Sequence, residues 1–294
     1  MYDAVERNVR GTWLLFAVFV LVIVALGYAF SRLLDLGYAG VAIAGVLALA
    51  GAWGSYYYSD RLVLAISGAR EASRDQHPHL HNAVEGLAIA AGIPVPRVYL
   101  IDDTAPNAFA TGRDPQHAAV VVTTGLLDKL DRLELEGVLA HEMSHVKNYD
   151  VRLATVASVL VGMVILLSDM FQRSMFWGRR RGSREGGGGS GLVVLVGLAL
   201  AVLAPLFAQL LRLAISRNRE YLADSSAAML TRYPEGLASA LEKISADPEP
   251  LEVANKATSH MYIINPLREW GGYANSLFNT HPPVEERVRR LRAR

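Results

Sequence analysis

Long apolar runs alternate along this chain with mixed, patterned stretches, and that alternation organises everything else. Thr12 to Phe30 is almost unbroken apolar sequence, and after a short turn around Ser31–Gly37 a second run extends from Tyr38 to Tyr56. Each is long enough to cross a hydrocarbon core as a helix. The second is rich in Gly40, Ala44, Gly45, Ala48, Gly51 and Ala52, small residues that let membrane helices approach closely, and it ends in an aromatic anchor, Tyr56-Tyr57-Tyr58. The pattern predicts a tight transmembrane hairpin. Because the first run is long for a signal peptide and a second follows at once, a retained anchor is expected. A third run, Val151–Leu167, extends toward Phe171 if Asp169 is tolerated, and a fourth, Leu192–Leu211, is interrupted by Pro205. Between them lie Arg173, Arg179, Arg180, Arg181, Arg184 and a glycine run, which read as a flexible linker.

The remaining stretches carry the periodicities of a soluble unit. A mixed helix is expected over Leu62–Arg74 and another over His81–Gly92, ended by Gly92 and Pro94. Arg97–Ile101, Asn107–Thr111 and Ala118–Thr124 read as strands, the last rich in valine. An amphipathic helix is expected over Thr231–Asp247, a loop over Asn265–Asn279 and an arginine-rich helix over Glu285–Arg294. The fold class expected is mainly α with a small β-sheet (α+β), in a multi-pass membrane protein with four segments. These are 1–58, the first hairpin; 59–150, the first part of a catalytic unit; 151–215, a second hydrophobic hairpin; and 216–294, the rest of the catalytic unit.

Composition agrees with membrane residence: 52% of the 294 residues are hydrophobic and only 19% charged. A net charge of +1 gives no reason to expect nucleic acid as partner. With no cysteine, disulfides, thiolate metal sites and a cysteine nucleophile are all excluded, so any zinc must rest on histidine and carboxylate. Basic residues flank both ends of the second hairpin, with Arg61, Arg70 and Arg74 beside the first. The first hairpin fits a cytoplasmic catalytic side, and the second is expected to span.

One short stretch carries the chemistry. His141-Glu142-Met143-Ser144-His145 lies in a predicted helix that begins near Asp128 and Asp131, and the chain from Val146 to Asp150 is expected to continue it. Histidines four residues apart share a helix face and can supply two corners of a tetrahedral zinc site, while Glu142 can take a proton from a bound water. No histidine stands six residues beyond His145, so the metzincin pattern is absent. After the fourth apolar run, Glu220 and Asp224 lie one helical turn apart. One carboxylate could complete the metal ligands and the other hold a ligand histidine by its free N–H. Three further histidines, His77, His79 and His81, surround Pro78 with no acid or base motif, and are read as surface residues. His260 is read as structural.

The stretches from His141 to Asp150, Asn218 to Asp224, Pro106 to Gly112 and Thr280 to Arg287 together resemble the membrane-embedded zinc metalloproteases of the HtpX heat-shock and CAAX prenyl protease family. The resemblance covers most of the chain. It implies one zinc per chain held by His141, His145 and Glu220, with Glu142 as catalytic base. It also implies that Asp224 orients a ligand histidine and pairs with Arg287, that Asn107, Ala108, Phe109 and Ala110 form a substrate-binding edge strand, and that His281 stands near the oxyanion. The expected protein is a multi-pass endopeptidase of the plasma membrane, acting in stress response on misfolded or membrane proteins, with the bilayer as its other partner. A metal-dependent scaffold that binds unfolded segments without cutting them, and a prenyl-peptide protease, are the alternatives. The intact Glu142 argues against the first. Four apolar runs are few to enclose the chamber the second needs.

Overall fold

The computed structural model describes residues 2–33, 37–160, 217–254, 258–266 and 282–293. The two apolar runs become long helices, α1 (Tyr2–Leu33) and α2 (Gly37–Ile66), packed side by side. Their apolar side chains remain exposed over much of their length, including Trp13, Leu21, Ile43, Leu47 and Trp53, as expected of a surface that meets lipid. Both are long and apolar enough to cross a bilayer, over Val5–Ala25 and Gly37–Ile66. No separate helix starts at Leu62. Instead α2 runs on to Ile66 and buries Val63 and Leu64 in a cluster with Ile101, Phe109 and Tyr262. The apolar hairpin and the polar unit are thus joined by a rigid helix rather than by a linker. The aromatic anchor meets arginines from that unit: Arg113 lies over Tyr57 at 5.2 Å and Arg152 over Tyr56 at 5.7 Å.

A mixed sheet of four strands follows in the order β1-β2-β4-β3: β1 (Arg70–Glu71), β2 (Arg97–Ile101), β3 (Ala108–Gly112) and β4 (Ala118–Thr123). β2 and β4 are parallel, and β3 is antiparallel to β4 with Phe109 opposite Val121. The valines of β4 are buried on both faces, which is why that strand reads as a continuous apolar run. Between β1 and β2, α3 (Pro78–Ala91) starts at Pro78 itself, earlier than the sequence expectation. Proline suits the first helical turn, where its missing N–H costs nothing.

After the short α4 (Thr124–Lys129) comes α5 (Arg132–Lys147), which carries the histidine pair. Asp131 and Glu134 form a reciprocal capping box at its start. Contrary to expectation, the helix stops at Lys147. Asn148 caps it, Tyr149 takes a left-handed conformation (φ 60°), and α6 begins at residue 150 and is described to residue 160. α6 is largely buried. The rest of the expected second hairpin, the arginine loop and the glycine run lie outside the described residues. The chain resumes with α7 (Arg217–Thr231) and α8 (Pro234–Ala246), separated by Arg232 at φ 54°. α9 (Val284–Arg292) closes the polar unit. Leu237, Leu241 and Ile244 of α8, Val138 and Met143 of α5, and Val288 and Leu291 of α9 share one core. The arginines of α9 are mostly paired within the protein, Arg292 with Glu235 and Glu242, and Arg289 and Arg290 with Glu286.

Candidate metal centre

α5 and α7 cross so that His141, His145 and Glu220 meet. Each offers one ligand atom, and all three atoms lie within 4.8 Å of one another. His141 Nε2 and His145 Nε2 are 3.1 Å apart, and Glu220 oxygens lie 3.7 Å from the first and 3.5 Å from the second. Ligands at about 2.0–2.2 Å around a tetrahedral zinc ion stand about 3.3–3.6 Å from each other. The three donors match that spacing and the donor chemistry of such a site.

The other ring nitrogens explain why the Nε2 atoms face inward. Asp224 Oδ1 lies 3.0 Å from His141 Nδ1, and Asp150 Oδ2 lies 3.0 Å from His145 Nδ1. A carboxylate only accepts, so each Nδ1 carries the proton and each Nε2 presents a lone pair. Two lone pairs 3.1 Å apart repel unless a cation lies between them. The pKa directions express the same demand. Where no metal takes the Nε2 lone pair a proton would: burial works against charge on His141, yet the carboxylates of Asp224 and Glu220 carry its pKa up to about 9. His145 rises too, as Glu220 and Asp150 outweigh burial. The site is built to hold positive charge, and a metal fits it.

Arg287 completes the frame. It is fully buried, its Nε and Nη2 donate to Asp224 at 2.9 and 2.7 Å, and its Nη1 donates to the carbonyl of Ile263 at 3.1 Å. Burial would raise Asp224, but Arg287 and His141 bring its pKa down to about 2. Glu142 is buried on α5 and lines the same cavity as the three donors, together with Ala110. His281 lies outside the described residues.

β3 is the edge strand next to this cavity. Asn107 O accepts from Thr123 N–H, so the backbone N–H and C=O of odd-numbered residues point to β4 and those of even-numbered residues point outward. Part of that outer edge is already taken. Ile263 N–H donates to Ala108 O at 2.9 Å, and Asn107 donates through its side chain to Ile264 O and accepts from Ala108 N–H. Phe109 faces the other way and packs edge-on against Tyr262, with ring centroids 4.9 Å apart. Of the four residues, Ala110 is the one that reaches the cavity. His260 is buried, bonds Ser158 Oγ at 3.1 Å and lines the same cavity, without being one of the three clustered donors.

Asp150 went unassigned in the sequence because a continuous helix would carry it past His145. Asn148, a residue suited to helix ends, was the available sign of the turn that brings it back.

A family model for peptidase family M48 matches residues 74–294. The chain belongs to peptidase family M48. With its histidine–carboxylate cluster, this M48 chain is a metalloprotease. It is 52% identical to a protease HtpX homolog of Dictyoglomus thermophilum over 291 residues, spanning 99% of this chain and 94% of the relative. It is 47% identical to one from Tropheryma whipplei, over 99% of this chain and 98% of the relative. Against the crystal structure of S. mikatae Ste24p, the M48 chain gives a TM-score of 0.49 at 19% identity, covering 99% of this chain and 67% of the other.

Proposed function

We propose that this M48 protein is a zinc endopeptidase, anchored in the plasma membrane by several passes, that cuts extended segments of misfolded or membrane polypeptides on the cytoplasmic side. The observation that carries the reading is the convergence of His141, His145 and Glu220 with both Nε2 lone pairs turned to one point. Two imidazoles and one carboxylate are a donor set for a catalytic zinc, leaving a fourth position open. When bound, zinc supplies Lewis acidity, lowering the pKa of water and polarising a carbonyl.

Everything else falls to the chain's own groups. Glu142, next to His141 on the helix and lining the cavity, accepts a proton from the attacking water and returns it to the departing amine. Asp224 and Asp150 hold the two imidazoles in the required tautomer, and Arg287 keeps Asp224 ionised. The outward N–H and C=O of Ala110 hold the substrate backbone beside the cavity by strand addition, which requires an extended, locally unfolded peptide. Since Ile263 and Asn107 already occupy the outer edge at Ala108, the grip on the substrate is short. Arg61 in the last turns of α2, with Arg70 and Arg74 just beyond its end, favours a cytoplasmic catalytic side.

The test is the purified full chain in detergent with a fluorogenic peptide or casein as substrate. Glu142→Gln should keep zinc and lose cleavage, His141→Ala should lose both, and a chelator should abolish wild-type activity that added zinc restores. Substantial cleavage by Glu142→Gln would remove Glu142 from the role of base.

A further inference from the structure

We propose that Asn8, near the start of the first membrane helix, is a positioning residue for the metal centre. The inference rests on the metalloprotease reading above. Asn8 is 5% exposed, and a buried amide must find partners or cost stability. Its Nδ2 donates to Asn148 O at 2.9 Å and to Asp150 Oδ1 at 2.5 Å, and its Oδ1 accepts from Arg219 Nη1 at 3.0 Å.

Each partner is one link from a metal ligand. Asn148 is the cap of α5, Asp150 holds His145 Nδ1 with its other oxygen, and Arg219 precedes Glu220 on α7. One side chain therefore braces both arms of the site, the imidazole arm through Asp150 and the carboxylate arm through Arg219. An amide is the group this junction needs, because Asp150 requires a donor where Arg219 requires an acceptor. Close approach makes it possible. A Cβ on Gly11 would stand 3.3 Å from Leu153 Cδ2, so α1 lies tight against α6, with Thr12 and Leu15 buried along the same face.

The experiment measures zinc affinity of the full chain in detergent by competition with a chromogenic chelator, alongside thermal unfolding and the cobalt(II) spectrum. Asn8→Leu should weaken zinc binding about tenfold, at the low end of the roughly 10–100-fold usual for losing an outer partner of a metal ligand. Its effect should be clearly smaller when Asp150 is already Asn, because only the carboxylate arm through Arg219 is then left to lose. Asn8→Asp, of equal size, should also weaken binding and alter the cobalt spectrum, since it sets a second carboxylate against Asp150. This variant decides the matter if Asn8→Leu does not fold. Arg10→Ala, exposed and paired with Glu6, is the control that leaves affinity unchanged. Wild-type zinc affinity in both Asn8 variants, or a full multiplicative loss in the double variant, would overturn the role of Asn8 alone. A wild-type chain that binds no zinc would overturn the metalloprotease reading as well.

Discussion

Replacing Arg287 by Met tests the frame behind the metal centre. Methionine fills much of the same space, so a large cavity is not what the substitution probes. It removes three hydrogen bonds, two of them to Asp224, and leaves that carboxylate buried, with His141 as the remaining partner on that side. An intact buried ion pair is worth little net, but stranding one member costs about 3–5 kcal/mol. Apolar burial of the Met side chain and the positive charge that His141, with its raised pKa, keeps beside Asp224 return part of this, so a loss of about 3 kcal/mol is expected. That is a large share of the roughly 5–15 kcal/mol that holds a domain together. For a polar unit of this size it corresponds to a fall of about 6–12 °C in Tm. The assay is thermal unfolding of the zinc-free full chain in detergent near pH 7. Adding Asp224→Asn to Arg287→Met should recover stability, because the stranded charge is then gone. A cost below about 1 kcal/mol for Arg287→Met, or a double variant less stable than the single one, would refute the claim that Arg287 neutralises Asp224.

Two further outcomes follow from the core and the helix caps. A Cβ on Gly137 would stand 2.6 Å from the backbone nitrogen of Leu237, where α5 meets α8. Gly137→Ala should therefore destabilise by about 1–3 kcal/mol from overpacking, outweighing a gain of up to about 1 kcal/mol in helix propensity; denaturant unfolding measures the sign. Glu134 is buried, yet hydrogen bonds from Lys243, Ser239 and the Asp131 N–H outweigh burial and lower its pKa from 4.5. Its contribution is therefore complete above pH 4.5 and is lost as pH falls through the lowered value. Glu134→Gln should cost about 1–2 kcal/mol near neutrality, discounted because Lys243 is half exposed. Its gap to wild type in a pH series should narrow in acid.

What could be read along the chain was what repeats or pairs within a turn or two. The apolar runs are legible because lipid demands an unbroken stretch, and the histidine pair because residues four apart share a helix face. Glu220 and Asp224 are legible as a pair for the same reason, whereas the partnership of Arg287 with Asp224 was suggested by resemblance, since nothing local joins residues that far apart. Along the sequence Asp150 reads as more helix. A helical continuation costs nothing locally, and only packing against Asn8 and Arg219 selects the left-handed turn at Tyr149 that brings the carboxylate back to His145. The edge of β3 was foreseen as open, and its partial closure by Ile263 and Ile264 joins residues more than 150 positions apart.

The chain on its own indicated which groups could do chemistry and which stretches are apolar enough to cross a bilayer, because both depend on residue type at short spacing. The tertiary structure decided which carboxylate serves which imidazole, how little of the β3 edge stays open, and that the first apolar helix reaches the donor cluster. Those depend on distances between segments, and a hydrogen bond made across the fold leaves no periodic trace in the sequence of either partner.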